Sequence, residues 1–195
     1  MKTIKKLLSA LVSLLMIACT FSIQTTAIFA AETSANVHDI TTFTNALGDK
    51  SITNINITAD MDLRNLNLEQ GTVMVADVSN RTINLGGHTI TTKNNTVHFI
   101  GSNFTIKNGS LDSNGGSYAL FIEGRENVET KNVVIQDITA TGGTHILAAS
   151  VTLKNMNVTG TDYYAVWCDG NAQAKIESGT YQTNGVAVVG VAEGN

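Results

Sequence analysis

A short pattern decides the fold, and its clearest copy reads Val133-Val134-Ile135-Gln136-Asp137-Ile138-Thr139-Ala140. Apolar residues occupy the first, third and last positions, and a turn-forming residue occupies the fifth. The pattern occurs four more times without gaps, over residues 83–90, 104–111, 151–158 and 174–181. Short runs that alternate between apolar and polar residues are typical of strands. The chain therefore repeats a unit made of strands joined by a corner.

The spacing of these units is that of a solenoid. The third-position residues are Leu85, Ile106, Ile135, Leu153 and Ile176, which are 21, 29, 18 and 23 residues apart. Repeats of this length with variable insertions are typical of solenoids. Because the units lack a Leu-rich consensus and a helix-length segment, they are not leucine-rich repeats. We expect each strand to pair in parallel with its equivalents about 4.8 Å above and below.

The composition agrees with such a stack. The 195 residues include 26 Thr, 20 Asn and 17 Gly but no Pro, and only 14% are charged. Interior strands exclude Pro because each donates to a ladder, whereas Asn tolerates the left-handed backbone of a corner. Low charge and many β-branched residues argue against a disordered tail or a long coiled coil. A net charge of −4 with scattered Lys and Arg argues against nucleic acid as a partner.

Residues 1–30 have the three parts of a secretory signal peptide. Three Lys precede an apolar run over residues 7–21, and small residues allow cleavage after Ala30 or Ala31. An uncleaved membrane anchor and lipoprotein processing at Cys19 are the alternatives. We therefore expect a secreted or cell-surface protein with no transmembrane domain after cleavage.

Cleavage would change both the charge and the thiol count. Nine of the 12 basic side chains would remain against 16 acidic ones, a net charge of about −7. Cys168 would be the only thiol, so no disulfide could form within the mature chain. Because no matching His and Asn signature accompanies Cys168, it is interpreted as a buried apolar side chain.

Residues 37–47 form the only segment with a helical pattern. Apolar residues recur at i, i+3, i+6 and i+7 from Ile40. Asp39 or Thr41 is expected to cap the start of this helix and Gly48 to end it. Such a helix would cover the open edge of the first coil.

The predicted organisation has three parts. These are a signal peptide over residues 1–30, a linker with the capping helix over residues 31–50, and a β-helix over residues 51–195. The apolar strand over residues 186–191 has no cap after it, so its coil would expose an unpaired edge. We therefore expect the β-helix to be incomplete at its C-terminus, with further coils, further domains or a partner covering that edge.

The sequence resembles the right-handed parallel β-helix proteins of the pectate-lyase-like superfamily, in particular its bacterial secreted and adhesin-like branch. The resemblance covers about residues 37–191 and depends on the capping helix before residues 52–57, the phrase over residues 82–90, and the repeated units. It implies an all-β, right-handed parallel β-helix with a short N-terminal capping helix. Because the superfamily includes polysaccharide lyases and glycosidases as well as adhesin-like proteins, the fold does not choose a function.

The catalytic residues that the resemblance implies are not recognisable. A lyase would use acidic residues to hold calcium and an Arg or Lys as the base, but Arg64, Arg81 and Arg125 are the only arginines. Gly170 follows Asp169 where pectate lyases have His, and the Asp-rich phrases of polygalacturonases are absent. Catalytic residues therefore remain unknown, and calcium is expected only if the protein is a lyase.

Charged side chains elsewhere are interpreted as surface groups. Glu123, Glu126 and Glu129 surround Arg125 in an insertion and resemble a solvated face. A calcium site at the neighbouring pair Asp60 and Asp62 is disfavoured because calcium takes six or more oxygens. No metal-ligand spacing, and hence no metal or cofactor site, is predicted for the four histidines, His38, His88, His98 and His145. Of these, we expect His88 to lie in a turn and His98 to face solvent.

One aromatic cluster, made of Tyr163, Tyr164 and Trp167, could stack on sugar rings, although Trp167 is interpreted first as a core residue. We expect a rigid structural or adhesin-like module that binds a polysaccharide or a host-surface ligand. A polysaccharide lyase or glycosidase is the alternative. Either activity is expected in the insertion between Asn108 and Val133, the longest between anchors.

Overall fold

The computed structural model describes residues 33–66, 72–93 and 96–192, with residues 72–76 described by their backbone. Most of these residues are in strands, and every pair of neighbouring strands is parallel. The predicted all-β parallel β-helix with a short N-terminal helix is therefore confirmed. The predicted signal peptide lies outside the described residues.

The elements are numbered in chain order. Within the described residues they are β1 (Thr33–Val37), α1 (Ile40–Gly48), β2 (Ile52–Ile57), β3 (Met61–Asp62), β4 (Thr72–Asp77), β5 (Thr82–Asn84), β6 (Thr89–Thr91), β7 (Thr96–Ile100), β8 (Thr105–Asp112), β9 (Tyr118–Glu123), β10 (Thr130–Thr141), β11 (Gly143–Leu147), β12 (Ala149–Lys154), β13 (Met156–Thr161), β14 (Val166–Asp169), β15 (Gln173–Ile176), β16 (Gly179–Thr183) and β17 (Val189–Val191).

These strands form two sheets that enclose one core. The large sheet has 11 strands, in the order β1-β2-β5-β8-β10-β12-β15 with β3, β6, β13 and β16 beside this path. The six-stranded sheet has the order β4-β7-β9-β11-β14-β17. Each strand pairs with its equivalents in the neighbouring coils, so residues that lie far apart in sequence become neighbours along a row.

The register confirms four of the five predicted units and corrects the first. Ile106 pairs with Ile135, as the gapless alignment requires, but it also pairs with Ile83 rather than with Leu85. Beyond the corner the predicted register returns, because Ile90 pairs with Leu111. The first unit therefore has two extra residues at its corner, where Gly86 and its neighbour Gly87 have φ angles of 62° and 86°.

Asn side chains stack at the corner between the six-stranded sheet and the large sheet. Asn80, Asn103 and Asn132 all have left-handed backbones, with φ angles of 58°, 58° and 54°. The amide of Asn103 donates to Oδ1 of Asn80 at 3.1 Å, and the amide of Asn132 donates to Oδ1 of Asn103 at 2.9 Å. These residues are called the amide ladder. They combine the conformation that a corner needs with hydrogen bonds between coils.

The helix α1 begins later than predicted because Val37 ends strand β1, which pairs with β2. Of the two expected caps, Asp39 is the one used, and it forms a capping box with Thr42, whose backbone N–H donates to Asp39 Oδ1 at 2.7 Å. The buried side chains of Phe43 and Ala46 join the core. The helix is thereby fixed against the first coils.

The buried Arg81 caps the opposite end of α1. Its guanidinium donates to the carbonyl oxygens of Ala46 at 3.3 Å, Leu47 at 2.6 Å and Asp49 at 3.1 Å. The last carbonyls of a helix have no partner within the helix and carry partial negative charge. Arg81 is therefore a structural residue, although it is one of the three arginines considered above for catalysis.

The last described coil leaves apolar side chains exposed. Ile176 is 42% exposed and Val191 is 70% exposed, whereas their equivalents in earlier coils, Leu153 and Cys168, are buried. That further coils, further domains or a partner cover this edge remains a prediction.

Candidate functional site

The outer face of the six-stranded sheet carries a row of ring-bearing side chains. In register across β7, β9, β11 and β14 the row consists of His98, Phe121, His145 and Trp167. We call these four residues the aromatic ladder. Strand alternation turns them away from the core, as the buried neighbours of Trp167, Val166 and Cys168, show. The interpretation of Trp167 as a core residue is therefore wrong.

The rings of the ladder stack on one another. The centroid of Phe121 lies 4.3 Å from that of His98 and 4.5 Å from that of His145, with interplanar angles of 22° and 9°. Parallel pairing sets side chains at about this separation along a row, so flat rings stack face to face. Phe121 is thus held between two imidazoles, and His98 is only 6% exposed. The expectation that His98 faces solvent is wrong.

Three tyrosines extend the ladder sideways. Tyr118 lies with its ring centroid 5.3 Å from that of His145 and 5.6 Å from that of Tyr163. Tyr164 continues the cluster, since its ring is 5.0 Å from Tyr163 and 4.8 Å from Trp167. The predicted cluster of Tyr163, Tyr164 and Trp167 therefore forms. We call the ladder and these tyrosines together the aromatic surface.

Two glycines make room for these rings. A Cβ atom on Gly143 would lie 3.0 Å from the ring of Tyr118 and 2.2 Å from the carbonyl oxygen of Tyr164. A Cβ atom on Gly190 would lie 2.5 Å from the Trp167 ring and 2.7 Å from the Tyr164 ring. Glycine within a strand often marks a place that another group approaches closely. Gly143 and Gly190 thus let the rings lie flat on the sheet.

Glu123 joins the ladder to a charged edge. Its Oε2 atom lies 3.0 Å from His98 Nε2 and 2.6 Å from Arg125 Nε. The Glu123 side chain is only 19% exposed, so the interpretation of the acidic insertion as a solvated face is wrong for this residue. Glu129, by contrast, is exposed and pairs with Lys131.

Burial keeps the ladder uncharged near neutral pH. It lowers the pKa of His98, and the nearby Arg125 lowers this pKa further while Glu123 opposes the shift. Burial also lowers the pKa of His145, against the opposing charge of Asp169. Within the described residues, Nε2 of His145 has no hydrogen-bond partner. This atom is buried, so what the ladder presents is a row of rings that carry no charge near neutral pH.

The other residues considered for binding lie away from this surface. Asp62 forms an ion pair with Arg64 at 2.6 Å, and hydrogen bonds from Arg64 lower the pKa of Asp62 to about 2. Asp60 accepts a hydrogen bond from the backbone N–H of Thr89 at 2.9 Å and faces His88 at the corner. Over residues 33–66, 72–93 and 96–192, no three His, Cys, Asp or Glu side chains are grouped to hold a metal ion.

Sequence reasoning missed four members of the aromatic surface: His98, Tyr118, Phe121 and His145. They come from separate coils and meet only through the register. A signal was nevertheless present, because a ring lies between two residues that face the core in Val97-His98-Phe99, Leu120-Phe121-Ile122, Thr144-His145-Ile146 and Val166-Trp167-Cys168. Aligning these triplets would have predicted the row.

The parallel coils and the ring-covered sheet define a parallel β-helix protein with an aromatic outer face. A family model described as "Putative pectate lyase-like adhesive domain" matches residues 34–191, and the chain belongs to this family. The family indicates an adhesin-like or pectate lyase-like role, with binding to surface ligands and an extracellular or surface location. Comparisons with curated proteins and with solved structures gave no match. Among the residues described, no helix is long and apolar enough to cross a membrane.

Proposed function

We propose that this chain is a secreted, rigid adhesin-like module that binds polysaccharide through the aromatic surface. The observation that carries the proposal is the continuity of rings across four successive coils, from His98 to Trp167. A signal peptide over residues 1–30 would deliver the module to the cell exterior, where such ligands occur.

The chemistry of the surface suits a sugar chain. Aromatic rings contact the apolar faces of sugar rings, while hydroxyl groups at the rim find polar partners. Here the partly exposed carboxylate of Glu123 lies beside the rings and can accept such hydrogen bonds. Because the rows run along the stack of coils, a polymer laid along them would meet an equivalent position in each coil.

The rigidity of the site also supports a binding role. The ring positions are set by strand register, by stacking and by the glycines under Tyr118 and Trp167. A preorganised surface loses little conformational entropy when it binds a ligand. An exposed site of this kind fits attachment to a long polymer better than enclosure of a small molecule.

A lyase or glycosidase remains the second candidate, because Glu123, His98 and Arg125 form a compact cluster beside the rings. General acid–base catalysis needs ionisable groups of this type at hydrogen-bond distance from the substrate. Incubation with a glycan panel, with and without calcium, tests this candidate. Unsaturated or shortened products would establish an enzyme and contradict a purely adhesive role.

Binding can be measured directly because Trp167, the only tryptophan of the chain, lies on the proposed surface. Titration with soluble polysaccharides should change its fluorescence, and calorimetry gives the affinity independently. Tyr163→Ala removes a ring that is 43% exposed, so we expect weaker binding with an intact fold. Thr180→Ala, an exposed position on β16 of the large sheet, is the matched control. Equal loss in both variants, or binding by neither the wild type nor the variants, contradicts the proposal.

A further inference from the structure

The charges around the aromatic surface identify the class of polysaccharide. We infer that the surface takes an uncharged polysaccharide and discriminates against polyuronates. This inference rests on the proposed function and adds to it the chemical class of the ligand.

Basic side chains are unevenly distributed between the two sheets. The strands of the six-stranded sheet contain no Lys or Arg, whereas strands of the large sheet carry Lys107, Lys131, Lys154 and Lys175. Three strands of the six-stranded sheet end in a carboxylate, at Asp77 of β4, Glu123 of β9 and Asp169 of β14, and the last two strands flank β11. Glu123 and Asp169 both pair in register with Leu147, so they lie in one row, two residues along from the aromatic ladder. We call Glu123 and Asp169 the acidic edge.

One cation, Arg125, already pairs with this edge. Arg125 Nε lies 2.6 Å from Oε2 of Glu123, which is also 3.0 Å from His98 Nε2. On the neighbouring strand β11, His145 interacts electrostatically with both Glu123 and Asp169. Since burial keeps both ladder histidines neutral near pH 7, they supply no positive charge to an anionic ligand. Asp169 adds a further negative charge.

A polyuronate carries one carboxylate on each sugar ring. Laid along the ladder, it would bring several negative charges beside Glu123 and Asp169, and such like-charge contacts reject a ligand. An uncharged sugar avoids this cost. Its hydroxyl groups can donate to the acidic edge, and hydrogen bonds to ionised acceptors are the stronger kind.

A matched pair of polymers isolates the effect of charge. Fully methyl-esterified homogalacturonan and the same polymer after de-esterification share one backbone and differ in charge. We expect the esterified polymer to bind about five- to tenfold more tightly at low salt, as read by Trp167 fluorescence. The difference should shrink in roughly 0.5 M NaCl, where screening acts within a few ångströms. Uncharged glucan and xylan complete the panel.

Asp169→Asn tests whether the acidic edge causes the discrimination. Its Oδ1 accepts a hydrogen bond from the backbone N–H of Gly170 at 2.7 Å, which an Asn oxygen can also accept, so the fold should survive. We expect the variant to bind the de-esterified polymer about twofold to threefold more tightly. It should bind the esterified polymer less tightly, because a neutral acceptor replaces an ionised one, so the ratio of the two affinities falls. Lys154→Gln on the large sheet is the control and should leave the difference unchanged.

The outcomes separate this inference from the proposed function. Equal or tighter binding of the de-esterified polymer overturns the inference and leaves carbohydrate binding intact. An undiminished preference in Asp169→Asn together with Glu123→Gln also overturns it, because the carboxylates would then not cause the preference. Failure to bind any polymer of the panel overturns the proposed function and this inference together.

Discussion

The amide ladder should contribute measurable stability, and Asn103 is the position at which to test it. Asn103 is the central member, so its side chain makes two ladder bonds, one to Asn80 and one from Asn132. It is exposed and has a left-handed backbone with φ of 58°. Asn114 is also exposed, with φ of 48°, but its side chain makes no hydrogen bond within the described residues. Asn114→Gly is therefore the matched control.

The magnitude follows from these two properties. An exposed neutral hydrogen bond contributes about 0.5 kcal/mol, so the two bonds of Asn103 are worth about 1 kcal/mol. Replacing Asn by Gly keeps the left-handed backbone but adds about 0.5 kcal/mol of unfolded-state entropy at either position. We expect Asn103→Gly to lower the free energy of unfolding by about 1.5 kcal/mol and Asn114→Gly by about 0.5 kcal/mol. Asn103→Ala should lower the free energy of unfolding by about 1 kcal/mol more than Asn103→Gly does, because the backbone of Ala is strained at positive φ.

Urea titration followed by far-UV circular dichroism and by Trp167 fluorescence measures these values. Coincident transitions from the two probes are needed, because a solenoid can unfold in parts. The reasoning is refuted if Asn103→Gly destabilises the protein no more than Asn114→Gly does. In that case the corner would depend on backbone conformation alone, with no contribution from the amides.

Three further changes test the site and the cap. Below pH of about 6.5, the free energy of unfolding should fall by up to about 1.4 kcal/mol per pH unit for each buried histidine. Burial lowers the pKa of His98 and His145, so the unfolded chain binds more protons than the folded one and stability decreases as the pH drops. Urea titrations at several pH values should show this dependence of the free energy of unfolding on pH. The dependence should be weaker when both His98 and His145 are replaced by Gln. Gly190→Ala places a Cβ atom 2.5 Å from the Trp167 ring, so a shifted emission maximum and a loss of about 1–2 kcal/mol are expected. An unshifted spectrum would show that the ring does not lie against this glycine. Arg81→Met removes three hydrogen bonds to the end of α1 and should lower the free energy of unfolding by about 2–4 kcal/mol, as measured by urea titration. An unchanged midpoint of unfolding would exclude a capping role.

Much of the fold could be predicted because its determinants are local and repeated. Each unit contains its own alternation and its own corner residue, and Asn108, Asp137 and Asn155 do adopt the left-handed backbone at the fifth position. The error in the first unit has an equally local cause. A gapless comparison cannot reveal that the corner at Gly86 and Gly87 holds two extra residues.

The candidate site could be predicted only in part. Tyr163, Tyr164 and Trp167 are close in sequence and were visible as a cluster, but their orientation was not. Alternation alone does not say which residues of a strand face inward when both of its faces carry apolar side chains. Trp167 was therefore interpreted as a core residue, although its ring lies on the outer face against Gly190.

The sequence by itself determined that the chain forms parallel coils with Pro-free strands and Asn-rich corners, because those requirements act within each unit. Only the tertiary structure decided which side chains become neighbours. His98, Phe121 and His145 stack because coils of different length still bring β7, β9 and β11 into register. In a stack of coils, the side chains that pair between two coils depend on how many residues each corner takes up. The packing of the whole core fixes that number.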